Sequence, residues 1–150
     1  MERDVQDPAE SALRRFDIDL FVVHPTLDPA EISAALGREA HFAHRAGDTR
    51  MTPKGTLLPG RHRDARWRHC VRHAVEDQWF AGKVAEFIDG LTPYKGFFSS
   101  VRSDGGKACV IIQFLGDGYF GDEIPREILA KLVELELDFG IECFSVPQSQ

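Results

Sequence analysis

The sequence predicts an α+β fold, a two-layer sandwich in which about three helices pack on one face of a mostly antiparallel sheet. Three observations carry that expectation. Apolar and polar residues alternate with period two from Phe16 to Leu20 and from Leu137 to Cys143, as in strands with one solvated face. Stretches with helical spacing lie between the strand-like runs. Finally, Asp104-Gly105-Gly106 between two apolar runs is a hairpin signal, which argues against an all-parallel sheet.

The elements follow in order. Residues 1–14 are polar and are expected to fray, leaving one α+β domain over residues 15–146. Phe16, Ile18, Leu20 and Val22 alternate with Asp17 and Asp19, so the first strand starts with one face in water. It ends in the apolar run Leu20-Phe21-Val22-Val23, which predicts a central position. Pro25 stops it. Asp28 then suits an N-cap, Pro29 the first helical position and Glu31 the return contact of a capping box. Leu27 and Ile32 hold the places of a hydrophobic staple, Ile32, Ala35 and Leu36 form the apolar stripe, and Gly37 supplies the left-handed stop.

Pro53, Gly55, Pro59 and Gly60 mark residues 49–64 as a loop or hairpin tip, the segment expected to move most. Residues 65–75 read two ways. As a strand they put Trp67, His69, Val71 and His73 on one face; as a helix, Trp67, Cys70, Val71 and Ala74. The strand is favoured because helix signals restart at Asp77, from where Phe80, Val84, Phe87 and Leu91 face the core until Pro93. Phe97–Arg102 and Ala108–Leu115 flank the Asp-Gly-Gly turn as hairpin arms, although the first arm could be helical. Cys109–Leu115 is the most hydrophobic run and should be central. Gly116, Gly118 and Gly121 make a turn, Pro125 opens a last helix with Ile128, Leu129, Leu132 and Leu135 inward, and Leu137–Cys143 closes the sheet before Pro147.

A chain of 150 residues fits one domain with a real core. A net charge of −6 favours solubility and disfavours nucleic acid as a partner. Cys70, Cys109 and Cys143 are odd in number and lack C-x-x-C spacing, so free thiols in a reducing cytosol are expected. The N-terminus has no apolar signal core and no run reaches membrane-span length, so the expected location is cytoplasmic, with no membrane partner.

At Leu36-Gly37, in the polar run to Gly47-Asp48, and at the Trp67 that follows a Pro/Gly-rich loop, the chain resembles a bacterial family named domain of unknown function 4279. The resemblance covers roughly residues 15–144 and lies in the order of parts: a strand, a D-P-x-x-I-s-x-x-L-G helix, a stretch ending in basic-Gly-Asp, a lone Trp strand, a helix, a hydrophobic strand and a closing helix–strand. Ala40 stands where the family tends to have proline. The family implies no activity, cofactor or catalytic residue.

Several clusters could carry chemistry. His41, His44, His69 and His73 could supply a metal site for a hydrolase-like enzyme. On a strand His69 and His73 would lie about 13 Å apart and could not share an ion, whereas on a helix they would sit one turn apart and could. Arg66, Arg68 and Arg72, with Arg61 and Arg63 around Trp67, resemble an anion patch. On a strand they form a solvated face while Trp67 points inward. The C-terminal third is acidic, so opposite charges could pair within one chain or between subunits. His44, Arg45 and Asp48 could form a small anion site, with Asp48 orienting its neighbours; the alternative, which is favoured, has Gly47-Asp48 shaping a turn. No nucleophile elbow and no phosphate-cradling glycine loop is present.

These readings point to a non-catalytic binding or protein-interaction module without a cofactor, acting on a protein partner or on itself as a homodimer. An immunity-type role is one form of it. The alternative from another class is the metal-dependent enzyme built on His41, His44, His69 and His73.

Overall fold

The computed structural model describes residues 15–74 and 79–144. The expectations of a fraying N-terminal segment, a helix restart at Asp77 and a stop at Pro147 lie outside them. Within them the order is β1 (Arg15–His24), α1 (Pro29–Leu36), β2 (Phe42–His44), β3 (Thr49–Met51), β4 (Leu57–Arg61), β5 (Ala65–Ala74), α2 (Phe80–Asp89), a 3-10 turn (Thr92–Tyr94), α3 (Lys95–Ser103), β6 (Lys107–Leu115), α4 (Arg126–Glu134) and β7 (Leu137–Phe144). Five strands form one sheet in the order β2-β5-β1-β6-β7, and β3-β4 is a separate hairpin. All neighbours in the large sheet are antiparallel except β6 and β7. Those two are joined through α4, and a crossover through a helix returns the chain in the same direction.

The architecture is the expected α+β fold with one more helix than anticipated. Residues 95–103 are helical, not the first arm of a hairpin. Phe98 and Val101, three apart, are buried by the helix, and Gly105 (φ +89°) ends it in the left-handed conformation. Gly106 then passes so close to β1 that a Cβ there would sit 2.3 Å from the Val23 carbonyl oxygen. The Asp-Gly-Gly turn therefore joins a helix to a strand.

One apolar cluster holds the layers together. Phe16, Ile18, Leu20 and Val22 on one face of β1 meet Ile32 and Leu36 of α1, Val84 and Ile88 of α2, Phe98 and Val101 of α3, and Ile128 and Leu132 of α4. Each such side chain contributes on the order of 2 kcal/mol when fully buried. Two stripes sit differently from the reading of their sequences. In α2 the fully buried residues are Val84 and Ile88, with Phe80 and Phe87 only partly covered; in α4 Leu129 is exposed. Neither short helix buries more than a narrow stripe, so residues at its margin stay in water.

α1 begins and ends as its residues require. Asp28 Oδ1 accepts from the Ala30 N–H at 2.9 Å, and Gly37 (φ +59°) is the left-handed stop. His24, buried at the end of β1, fastens the turn between them. Its Nδ1 accepts from the N–H groups of Thr26 and Leu27, which leaves Nε2 to donate to the Asp104 carboxylate at 2.9 Å. Trp67 seals α1 against β5 by donating from Nε1 to Ser33 Oγ at 2.9 Å.

Candidate functional site: the helix-free face of the sheet

Among the described residues all four helices lie on one side of the sheet. The other side is where the charged residues meet. Strand register places them in rows. Arg72, Asp17, Gln113 and Glu142 form one row across β5, β1, β6 and β7. Cys70, Asp19, Ile111 and Gly140 form the next, and Phe42, Arg68, Phe21, Cys109 and Asp138 a third that reaches β2. His44, Arg66, Val23 and Lys107 make a basic row at the far end.

The alternating Asp17 and Asp19 are not solvated, contrary to the expectation for β1. They are 4% and 1% exposed. Arginines from the neighbouring strand cover them. Arg68 reaches Asp19 Oδ2 at 3.3 Å and Glu142 at 3.7 Å, so it spans the face from β5 to β7. Its guanidinium carbon lies 4.8 Å from the centroid of the Phe21 ring, within cation–π range. Arg15 and Arg72 stand 3.4 and 3.6 Å from Asp17 Oδ1, close enough for ion pairing but not aligned as hydrogen bonds. The Arg-rich strand thus pairs mainly with the carboxylates of β1, and among the described residues Arg68–Glu142 is its one ion pair to the acidic C-terminal third. The pairing is incomplete. Asp17 Oδ1 and Asp19 Oδ1 are both buried without a hydrogen-bond partner.

Burial sets the chemistry of this face. Desolvation holds the Asp19 carboxyl above its ordinary value, opposed by the Cys70 thiol and Arg68. The same burial, with Asp19 and Asp17 beside it, pushes the Cys70 thiol up to about 12, so it stays protonated at neutral pH and is a poor nucleophile. Cys109 is raised too, chiefly by burial. All three cysteines are free; Cys109 is buried, Cys70 half-buried and Cys143 exposed.

Arg66, Arg68 and Arg72 do share one face of a strand, with Trp67 inward, and His44 lies opposite Arg66 on the same side. Arg45 and Asp48 belong elsewhere. Asp48 Oδ2 accepts from the Arg45 N–H at 3.0 Å and closes the turn at Gly47 (φ +86°), while the Arg45 guanidinium reaches Asp28 Oδ2, beside the α1 cap, at 3.1 Å. His44, Arg45 and Asp48 therefore do not converge on an anion site; Asp48 is a turn former.

The structure does not gather His41, His44, His69 and His73 into one set. His41 packs on His69, with ring centroids 4.9 Å apart, and His44 stacks on His62 at 3.5 Å. His73 stacks on Phe16, inside the helix-covered face. Strand register separates His69 from His73, and residues 41 and 44 approach β5 at different points. His41 Nδ1 accepts from the Cys70 N–H and His69 Nδ1 donates to the Glu39 carbonyl. Among the described residues no three His, Cys, Asp or Glu side chains are grouped to hold a metal ion.

The first strand supplies what the sequence reading missed, namely Asp17, Asp19 and Phe21. Their signal was present in the alternation of opposite charges on two strands, Asp17-x-Asp19 and Arg66-x-Arg68-x-x-x-Arg72. Among the described residues no helix is long and apolar enough to cross a membrane. No protein-family model, no curated protein and no solved structure matches the chain.

Proposed function

We propose that this chain is a non-catalytic protein-binding module that presents the helix-free face of its sheet to a partner carrying both signs of charge. One observation carries the reading. Asp19 is a buried carboxylate with one oxygen unpaired, held at the centre of that face at a cost to its own ionisation. A scaffold alone gains little from such a group, and charges kept in costly places concentrate where molecules meet. The mixed pattern of guanidinium and carboxylate groups around Phe21 suits electrostatic complementarity. A protonated Cys70 and dispersed histidines support binding over catalysis. The resemblance to domain of unknown function 4279 adds no activity to this reading, and an immunity-type role remains its most specific form.

The test is affinity capture in the native cell with the wild-type chain and an Arg66→Glu/Arg72→Glu variant. Arg66 pairs with Asp64 and Arg72 with the buried Asp17, so the variant should melt several degrees below wild type yet keep a cooperative unfolding transition, which is checked before capture. A protein retained in stoichiometric amount by wild type and lost by the variant is the expected result. Stoichiometric zinc in the purified protein, lost on His44→Ala, would instead establish the metal-dependent reading.

A further inference from the structure

We infer that the free edge of β7 accepts an extended peptide segment of alternating apolar and basic residues as a sixth strand. This goes beyond the reading above, because it concerns the rim of the sheet and not its face. Among the described residues β7 pairs only with β6, leaving its outer edge open over the eight residues Leu137–Phe144. The Phe144 carbonyl accepts from the Gly116 N–H, on the β6 side. Backbone groups alternate along a strand, so those of Phe139, Ile141 and Cys143 point outward, ready for an incoming ladder.

The side chains state what would fit. On the helix side Ile141 is 61% exposed, and α4, which packs on β7, leaves Leu129 and Val133 in water. On the helix-free side β7 carries Asp138 and Glu142, with Gly140 between them. An incoming strand would therefore place apolar side chains beside Ile141 and basic ones beside the exposed Asp138 and, at the margin, beside Glu142, which Arg68 and Gln113 already reach from the β6 side. A second copy of this chain fits poorly. Its own β7 would bring Asp138 and Glu142, and no basic side chain, to the helix-free side of this edge, and pairing centred on Gly140 would set those carboxylates opposite each other.

The experiment uses the full chain, isotope-labelled, and three synthetic octapeptides: alternating valine–lysine, alternating valine–glutamate, and a block peptide of four valines and four lysines. The alternating valine–lysine peptide should shift the amides of Phe139, Ile141 and Cys143 and slow their hydrogen exchange. It should bind about tenfold tighter than the valine–glutamate peptide. Ile141→Pro removes an outward N–H without removing a ladder bond to β6, and should abolish binding. Asp138→Lys, an exposed change that keeps every backbone donor, should erase the preference for lysine over glutamate. Arg66→Glu/Arg72→Glu should bind the peptide like wild type, which separates this edge from the face proposed above. Equal binding of the two alternating peptides, binding of the block peptide as tight as the alternating one, shifts confined to β2, or dimers of the chain alone protecting the same three amides would each overturn the inference.

Discussion

Arg68 and Asp19 form an ion pair, 3.3 Å apart, on the side of the sheet that no described helix covers, with the carboxylate buried and the guanidinium a quarter exposed. The pair is asymmetric. Removing the cation leaves a buried charge with its unpaired Oδ1 and, among the described residues, no other cation paired with it, whereas removing the anion leaves Arg68 with Glu142 and with the Phe21 ring.

That asymmetry gives the first expectation. Arg68→Met should lower unfolding stability by about 2 kcal/mol, whereas Asp19→Asn should be neutral or stabilising by up to about 1 kcal/mol. The double variant should lie well above the sum of the two. Urea denaturation of all four proteins checks it, and additivity within about 0.4 kcal/mol would show the two residues to be uncoupled.

A second expectation concerns pH. Burial raises the Asp19 carboxyl above 3.8, so the folded chain holds that proton more tightly than the unfolded chain. Its contribution to stability is complete below 3.8 and is lost as pH rises through the folded value. His44 and His73 act in the opposite sense. Burial, reinforced by His62 and Arg66 beside His44 and by Lys83 beside His73, holds both below 6.5, against the pull of Asp64 on His44 and of Asp17 and Glu86 on His73. Their contribution is complete above 6.5 and is lost as pH falls through their folded values. The melting temperature should therefore fall as pH drops from about 7 to about 5. His44→Phe, which keeps a ring on His62, should flatten that fall, and Asp19→Asn should remove the opposing gain between the folded Asp19 value and 3.8. Parallel profiles for all three proteins would contradict the assignment.

A third expectation tests the joint between α1 and β5. Ser33→Ala leaves the Trp67 indole N–H buried without its acceptor, at a cost of about 1–2 kcal/mol. Loss of less than about 0.3 kcal/mol in urea denaturation would mean that water replaces the hydroxyl.

The fourth lies at Glu136, between α4 and β7, the one non-glycine residue with positive φ (+57°) among the described residues. Glu136→Gly should stabilise by about 0.5–1 kcal/mol, because glycine adopts that conformation without the Cβ clash. A lower melting temperature for the variant would contradict it.

Local signals explain how far the fold could be read. The α1 start is written in Asp28, Pro29 and Gly37, and the inward Trp67 in the period of β5; neither needs distant residues. The α3 helix was not legible, because Phe97-Phe98-Ser99-Ser100-Val101 has no strong preference and only the packing of Phe98 and Val101 decides it. The site divides in the same way. Arg66, Arg68 and Arg72 share a face by period two alone. The burial of Asp17 and Asp19 depends on the register that sets Arg72 opposite Asp17 and Arg68 one step from Asp19, which no local pattern contains. The His41–His69 pair is likewise a product of β2 docking on β5, and the His44–His62 stack of the backbone hydrogen bonds that join His62 to Gly47 and Asp48.

The most direct measurement of the central claim is arginine-selective chemical footprinting of the chain, purified and in complex with the partner it retains in its native cell. If the helix-free face is the recognition surface, Arg66 and Arg72 lose reactivity in the complex while Arg102, on the exposed side of α3, keeps it. Unchanged labelling of Arg66 and Arg72 in a stoichiometric complex would contradict the proposal and move recognition to another surface.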